Sequence, residues 1–406
     1  MKKKLILLWP YGFREFDWER YELSELCEKK NIEVEVHELV SFLIPGFIKA
    51  YQTLSDSSKI KKFKSFLEWK KYMKLQVELT TKEKKELLIL KHSLNVNLNF
   101  NYLLVNREIK KLKLKTLEIF GVSHPVISVK KKFDYIYFLK SIFKHLNNLK
   151  LLIWNLKRYL YTFIYTNLYK GSNIILLFNK KIPKQLISKE TNIIKANSFD
   201  YSRALKFTKI LKRSTNDFKY ALFLEAPGPL HLGDDLIFGG ENEGFTKEKW
   251  FPSLTKYFDK IENILGLKVI IAPHPKVKHE KYPPYYGGRE ISEFSLAESA
   301  LNSELVITHH SSGLSFGVIY NKPIMLVTSD ELIKNARFTR QQNNLSKELG
   351  SEIINIDREI SEDNLKKTLI IDKTKYKEYF LNYCSSREDK KRNYQIILDI
   401  IKNKHM

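Results

Sequence analysis

Two imidazole-bearing loops stand where a buried-type apolar run gives way to polar chain. Val269-Ile270-Ile271-Ala272 ends in Pro273-His274-Pro275-Lys276, and Glu304-Leu305-Val306-Ile307-Thr308 ends in His309-His310-Ser311-Ser312-Gly313. A proline on each side of His274 restricts the backbone and holds the ring in one place. There an imidazole can donate a hydrogen bond to a phosphate oxygen or transfer a proton. Ser311, Ser312 and Gly313 fall between a strand and a short helix, so their hydroxyls and backbone N–H groups point at whatever anion occupies the crevice. Together the loops describe a phosphate-sized site with a positioned histidine. His309 and His310, read as strand neighbours, face opposite ways, which leaves His310, beside the serines, to line the site.

The elements that hold these loops read as a parallel sheet. After Asn321-Lys322-Pro323 comes a third apolar run, Ile324-Met325-Leu326-Val327. Strand, polar loop, helix, strand is an α/β signature, and in such sheets ligands sit at the carboxyl ends of the strands. The chain opens with a similar unit: a strand over 4–9, a loop at Pro10-Tyr11-Gly12-Phe13, a helix over 17–30 and an alternating strand over 32–39. Gly12 alone is no dinucleotide fingerprint. Residues 55–90 read as surface helix, while 92–100, 117–122 and 173–178 read as strands. His124 follows the second of these and is a further cleft candidate, or a turn residue beside Pro125. Residues 135–169 read as aromatic, basic helix. The chain is expected to cross between domains near Asn197-Ser198-Phe199. A strand over 220–225, ending in Glu225, opens the second domain, followed by a Gly- and acid-rich loop holding Asp234 and Asp235 and a helix over 251–265. Terminal helices are expected beyond Ile353. The division is therefore 1–200, 201–380 and a terminal helix over 381–406.

Composition limits the class. At 406 residues two domains are the better expectation, and 43% hydrophobic content supports real cores. Seventy Lys+Arg against 46 Asp+Glu give a net charge of +24. Residues 1–200 carry 38 basic and 19 acidic side chains, the remainder 32 and 27. A basic half suits an anionic membrane leaflet or nucleic acid; a lysine-rich genome composition accounts for it equally well. Two isolated cysteines, Cys27 and Cys384, form neither a disulfide framework nor a thiolate zinc site, so a reducing cytoplasm is expected. The opening apolar run stops at Pro10 with no cleavage site after it, and no apolar run reaches the ~18 residues that span a bilayer.

The motifs around Pro273-His274-Pro275, Thr308 to Ser312 and Asn321-Lys322-Pro323-Ile324 resemble the C-terminal half of bacterial GT-B glycosyltransferases that assemble surface polysaccharides. Sialyltransferases and polysialyltransferases, with their His-Pro and Ser-Ser motifs, are the groups most similar; CDP-glycerol glycerophosphotransferases share both motifs. The likeness covers roughly residues 220–330. It implies a GT-B fold of two Rossmann-like domains facing a cleft, with His274, Ser311 and Ser312 binding the phosphate of a CMP-activated donor such as a nonulosonic acid. His310 and Gly313 complete that donor site. The acceptor implied is a capsule, O-antigen or lipooligosaccharide glycan, or a lipid-linked one.

The acidic general base of those families has no clean copy here. Glu225 and Asp235 are the catalytic candidates, with Glu15 and Asp17 of the first loop in reserve. No Asp-x-Asp motif or cysteine–histidine cluster is present, so neither metal nor cofactor is expected, and protein donors would neutralise the leaving phosphate. The chemistry competes with a CDP-alditol phosphotransferase and with a nucleic-acid-binding protein. The latter lacks a binding module, so no nucleic-acid partner is assigned. The basic aromatic helix over 135–169 suits the inner face of a membrane.

Overall fold

The computed structural model describes residues 2–29, 31–44, 58–92, 100–121, 125, 156–157, 160–161, 164, 171–180, 188, 190–207, 218–226, 228–229, 245–274 and 285–402. His124, Asp234, Asp235 and nearly all of 135–169 lie outside them.

Among the described residues twelve strands build two sheets, all parallel. The first holds β1 (Lys3–Trp9), β2 (Ile32–Glu38), β3 (Ile60–Lys62), β4 (Glu86–His92), β5 (Lys115–Phe120), β6 (Ile174–Leu177) and β7 (Asn192–Lys195) in the order β3-β2-β1-β4-β5-β6-β7. The second holds β8 (Tyr220–Leu224), β9 (Lys268–Ala272), β10 (Leu305–Thr308), β11 (Ile324–Thr328) and β12 (Ile353–Asn355) in the order β12-β11-β10-β8-β9. These are the two common doubly wound orders, with the first extended by one strand. Each sheet reverses its winding at one point, between β1 and β4 and between β8 and β10, and crevices open at such points. The central strands are apolar along their whole length because helices cover both faces: Leu5 to Trp9 and Ala221 to Leu224 are at most 2% exposed.

The α/β class and the strands read at 4–9, 32–39, 117–122, 173–178, 220–225 and over the three C-terminal runs are present, with ends shifted by a residue or two. Three readings are corrected. The helix expected over 17–30 is two helices, α1 (Glu15–Arg20) and α2 (Leu23–Cys27), because Glu22 stands between them in the left-handed region at φ 53°. Residues 55–90 are not one surface helix. They give β3, a helix α3 (Phe66–Lys82) and the buried start of β4, whose short apolar run is masked in sequence by flanking lysines and glutamates. The strand read over 92–100 fails at both ends: His92 closes β4, and Phe100 begins helix α4 (Phe100–Lys111). Beyond Ile353, β12 precedes the terminal helices.

Helix α5 (Phe199–Phe207) leads from the first sheet toward the second. The last described helix (Asn393–Ile401) returns to the first core, where Ile396, Ile397, Ile400 and Ile401 pack with Leu23 and Leu26. Among the described residues no helix is long and apolar enough to cross a membrane.

A charged network is buried between β1, β2 and α3. The Lys4 ammonium donates to Glu35 Oε2 at 3.0 Å and to Gln76 Oε1 at 2.8 Å. Trp69 donates to His37 Nδ1 at 3.2 Å, so His37 is the Nε2–H tautomer and donates to Glu35 Oε1 at 2.7 Å. Burial raises the Glu35 carboxyl, but His37 and Lys4 outweigh it and bring it down to about 2; burial lowers the His37 imidazole. Both folded values lie below the ordinary ones, 4.5 and 6.5, so this network stabilises fully above about pH 6.5 and is lost as pH falls toward 2. Melting temperatures of the parent are expected to fall on acidification, and Glu35→Gln is expected to flatten that fall below pH 4.5. Equal pH profiles for the two proteins would remove the network as the cause.

Candidate functional site

Three loops leave the carboxyl ends of adjacent strands at the switch point of the second sheet. In the order β10, β8, β9 they carry His309 to Ser312, Glu225 and His274. Parallel strands lie about 4.8 Å apart, so the outer loops stand roughly 10 Å from one another across Glu225. That span suits one or two phosphate groups.

The loops are tied at their centre. Glu225, 8% exposed, accepts the backbone N–H of His274 on Oε2 at 2.8 Å and the Tyr286 hydroxyl on Oε1 at 2.8 Å. Its own N–H donates to Ala272 O at 3.0 Å. Hydrogen bonds to a charged acceptor are the strong kind, so the half-buried His274 leaves β9 in a set direction. On the other side, Thr308 Oγ1 donates to Leu224 O at 3.2 Å and accepts the Ser311 N–H at 3.0 Å. Ser311 Oγ accepts the Gly313 N–H at 3.3 Å and caps the turn Ser312–Leu314, which runs into a short helix (Ser315–Ile319). A Cβ on Gly313 would come 2.6 Å from Leu296 Cδ2, and one on Gly317 would come 2.7 Å from Ile324 Cγ1. Glycine at both positions lets the turn and the helix after it lie this close without displacing those side chains. Ser312 is left exposed at its tip.

The two histidines do not face opposite ways. β10 ends at Thr308, so residues 309 and 310 lie in a bend, and their rings meet edge to face with centroids 4.5 Å apart. His309, 1% exposed, packs among Phe245, Trp250 and Phe338, and its carbonyl accepts from Gln342 at 2.9 Å. His310 is half-buried beside Phe338 and Ser311.

His274, Glu225, His310, Ser311, Ser312 and Gly313 are thus gathered on one edge. Asn321-Lys322-Pro323 is not: it precedes β11 and sits at the opposite, amino edge, with Tyr376 donating to Lys322 O at 3.0 Å. Asp17 is spent on structure, fully buried and bidentate to Arg14 at 2.8 and 2.9 Å; Glu15 is exposed. Two supports escaped the sequence reading. Thr308 was visible as a strand end. Tyr286 stands 61 residues from Glu225, in a stretch without periodicity, and only folding reveals it. Among the described residues no group of three His, Cys, Asp or Glu is placed to hold a metal ion.

The first sheet also carries polar and aromatic groups at its switch point. Trp9, Tyr11 and Tyr21 cluster around His92, Phe13 packs edge to face on Trp9, and the Tyr21 hydroxyl bonds His92 Nδ1. Helix α5 joins the two edges: the Phe199 ring packs tilted against Tyr21 with centroids 4.7 Å apart, and Asp200 accepts from Ser315 Oγ at 2.6 Å.

No protein-family model and no curated protein matches the chain. Solved structures do. The wall teichoic acid polymerase TagF superimposes with a TM-score of 0.52 at 14% identity, over 100% of this chain and 91% of that one. A Staphylococcus aureus MnaA–UDP complex gives 0.48 at 15% identity over 98% and 96%, and Acinetobacter baumannii MurG gives 0.44 at 9% over 99% and 99%. The two parallel α/β sheets and the TagF superposition place the chain in the GT-B fold class.

Proposed function

We propose that the chain is a glycosyltransferase that takes a sugar from a nucleotide-activated donor. The observation that supports the reading is the set of loops at the β8/β10 switch point, whose hydrogen-bonded frame gathers His274, His310, Ser311, Ser312 and Gly313 on one edge of the sheet. The imidazoles and the Ser311 and Ser312 hydroxyls would stabilise the charge that grows on the leaving phosphate, which is the main task in such a transfer. Glu225 belongs to the frame as a positioning residue, since both its oxygens are occupied; Asp235, with the exposed Glu15 in reserve, is the acidic candidate for deprotonating the acceptor hydroxyl. The division of labour is donor on 201–380, acceptor on 1–200, and 381–406 as the returning strap.

A CMP donor carrying a nonulosonic acid, and a glycan or lipid-linked acceptor, remain the finer reading. The second reading, transfer of the phosphate itself from a CDP-alditol, is favoured by the superposition on a teichoic acid polymerase. One screen separates them. A ligand bound only by the folded state raises the melting temperature with occupancy, so CMP is expected to stabilise the chain more than UDP or GDP. Stabilisation by CDP-glycerol without CMP would transfer the choice to the second reading, and no response to any nucleotide would remove both.

Peripheral contact with an anionic membrane is part of the proposal. Leu67, Leu75 and Leu79 are 66%, 48% and 40% exposed along α3, with exposed Lys71 and Lys74 between them. Leucine and lysine interleaved on one helix face suit an anionic interface. The chain is expected to sediment with phosphatidylglycerol vesicles and to be released by Leu67→Ser/Leu75→Ser. Equal sedimentation of parent and variant would rule this face out.

A further inference from the structure

At the carboxyl edge of the first sheet, β1 lies between β2 and β4, and Trp9, Glu38 and His92 end the three strands. Trp9 pairs in register with Glu38. Side chains alternate along a strand, so Glu38 leaves β2 on the face of Val34 and Val36, where Trp9 also packs. The Glu35–His37 network lies on the other face.

Glu38 is 4% exposed. Its Oε2 accepts the Phe13 N–H at 2.8 Å and so holds the loop that follows β1. Its Oε1 has no hydrogen-bond partner among the described residues, and it is not one of their solvent-sealed, unpartnered atoms. Asp17 and Glu22, by contrast, have both oxygens bonded. Lys62 of β3 is the charged side chain that acts on Glu38; Arg14, next to Phe13 in the loop, is turned to Asp17. Burial raises the Glu38 carboxyl above its ordinary 4.5, and the Phe13 N–H and Lys62 offset this only in part. A glutamine would accept the same N–H without burying a charge, so holding the loop does not by itself call for a carboxylate. A carboxyl with one oxygen open and its proton affinity raised is suited to taking a proton.

We infer that Glu38 is the base that takes the acceptor's proton, an inference that rests on the transferase reading and sets Glu38 ahead of Asp235 and Glu15. As the acceptor oxygen bonds the anomeric carbon of the sugar, its proton passes to Glu38 Oε1. The bond from that carbon to the phosphate oxygen breaks, and the electron pair leaves with the phosphate. Helix α5, which packs on Tyr21 and bonds Ser315, joins this edge to the donor loops.

The test has two arms on the full chain. Without any donor, carbodiimide and glycine methyl ester at pH 5 are expected to label Glu38 and spare Asp17 and Glu22, read by mass spectrometry. Unlabelled Glu38 overturns the inference whatever the activity. The second arm follows nucleotide release from CMP-N-acetylneuraminic acid and UDP-N-acetylglucosamine with lactose as acceptor. Glu38→Gln is expected to lower kcat/KM by about 10²–10⁴-fold and to lose the acid limb of its pH profile. The amide keeps the Phe13 N–H bond. A raised carboxyl favours folding below 4.5 and loses that contribution as pH rises through its folded value. Glu38→Gln is therefore expected to melt no lower than the parent at pH 7. A Glu38→Gln protein that keeps the parent's rate or its acid limb makes Glu38 a structural tie and ends this inference alone. A parent that turns over neither donor ends the transferase reading and the base with it.

Discussion

His274→Ala is expected to lower turnover with the activated donor by about 10²–10³-fold, the usual loss when one preorganised donor to a developing anion is removed. The fold is expected to persist. What fixes the loop is the His274 backbone N–H on Glu225, and alanine keeps that N–H. Kinetics and melting should therefore separate cleanly, with turnover falling and melting temperature nearly constant. Glu225→Gln gives the complementary result. Its amide offers one acceptor where the carboxylate offers two, so either the His274 N–H or the Tyr286 hydroxyl loses its partner. A buried group left without its bond costs about 1–3 kcal/mol, and melting temperature should fall together with turnover. If Glu225 were instead the general base, the glutamine variant would keep its stability and lose the acid limb of its pH–rate profile. A His274→Ala protein with the parent's turnover would end the phosphate role.

Arg392→Ala is expected to be the most damaging single change to stability, by about 3–5 kcal/mol, because it strands a buried carboxylate. Glu22 is 1% exposed and accepts from Arg392 Nε at 2.8 Å, Ser202 Oγ at 2.9 Å and the Tyr394 N–H at 2.8 Å. Arg392 also donates to Glu25 at 2.6 Å. One carboxylate thus holds the α1–α2 bend, helix α5 and the start of the helix Asn393–Ile401 together. Burial raises the Glu22 carboxyl above 4.5 even with Arg392 lowering it. A raised carboxyl favours folding most below 4.5 and least once it ionises, as pH rises through its folded value. The deficit of Arg392→Ala should consequently be larger at pH 7 than at pH 5 in urea denaturation. Adding Glu22→Gln should recover part of it, since the stranded charge is gone. A pH-independent loss, or no recovery, would mean that packing rather than charge is responsible.

The amino-acid sequence by itself determined the fold class and which loops share one edge of the second sheet. Strands buried on both faces must be continuously apolar, so runs such as 4–9, 220–224 and 305–308 announce themselves, and a parallel strand leaves its ligand loops at a predictable end. His274 and Ser311 to Gly313 were legible for that reason. Tertiary structure decided the rest. Strand order brought Glu225 between the two motif loops, and no local pattern encodes which strand neighbours which. The Glu225–Tyr286 and Glu22–Arg392 bonds join residues 61 and 370 apart, beyond the reach of any periodicity. Glu22 broke a helix whose spacing was intact, because its carboxylate serves a partner at the far end of the chain. The bend after Thr308 turned two histidines onto one another, although strand alternation had set them apart. Local spacing reports which face a residue occupies while an element continues; where elements end, which is where sites are built, only the packed chain fixes direction.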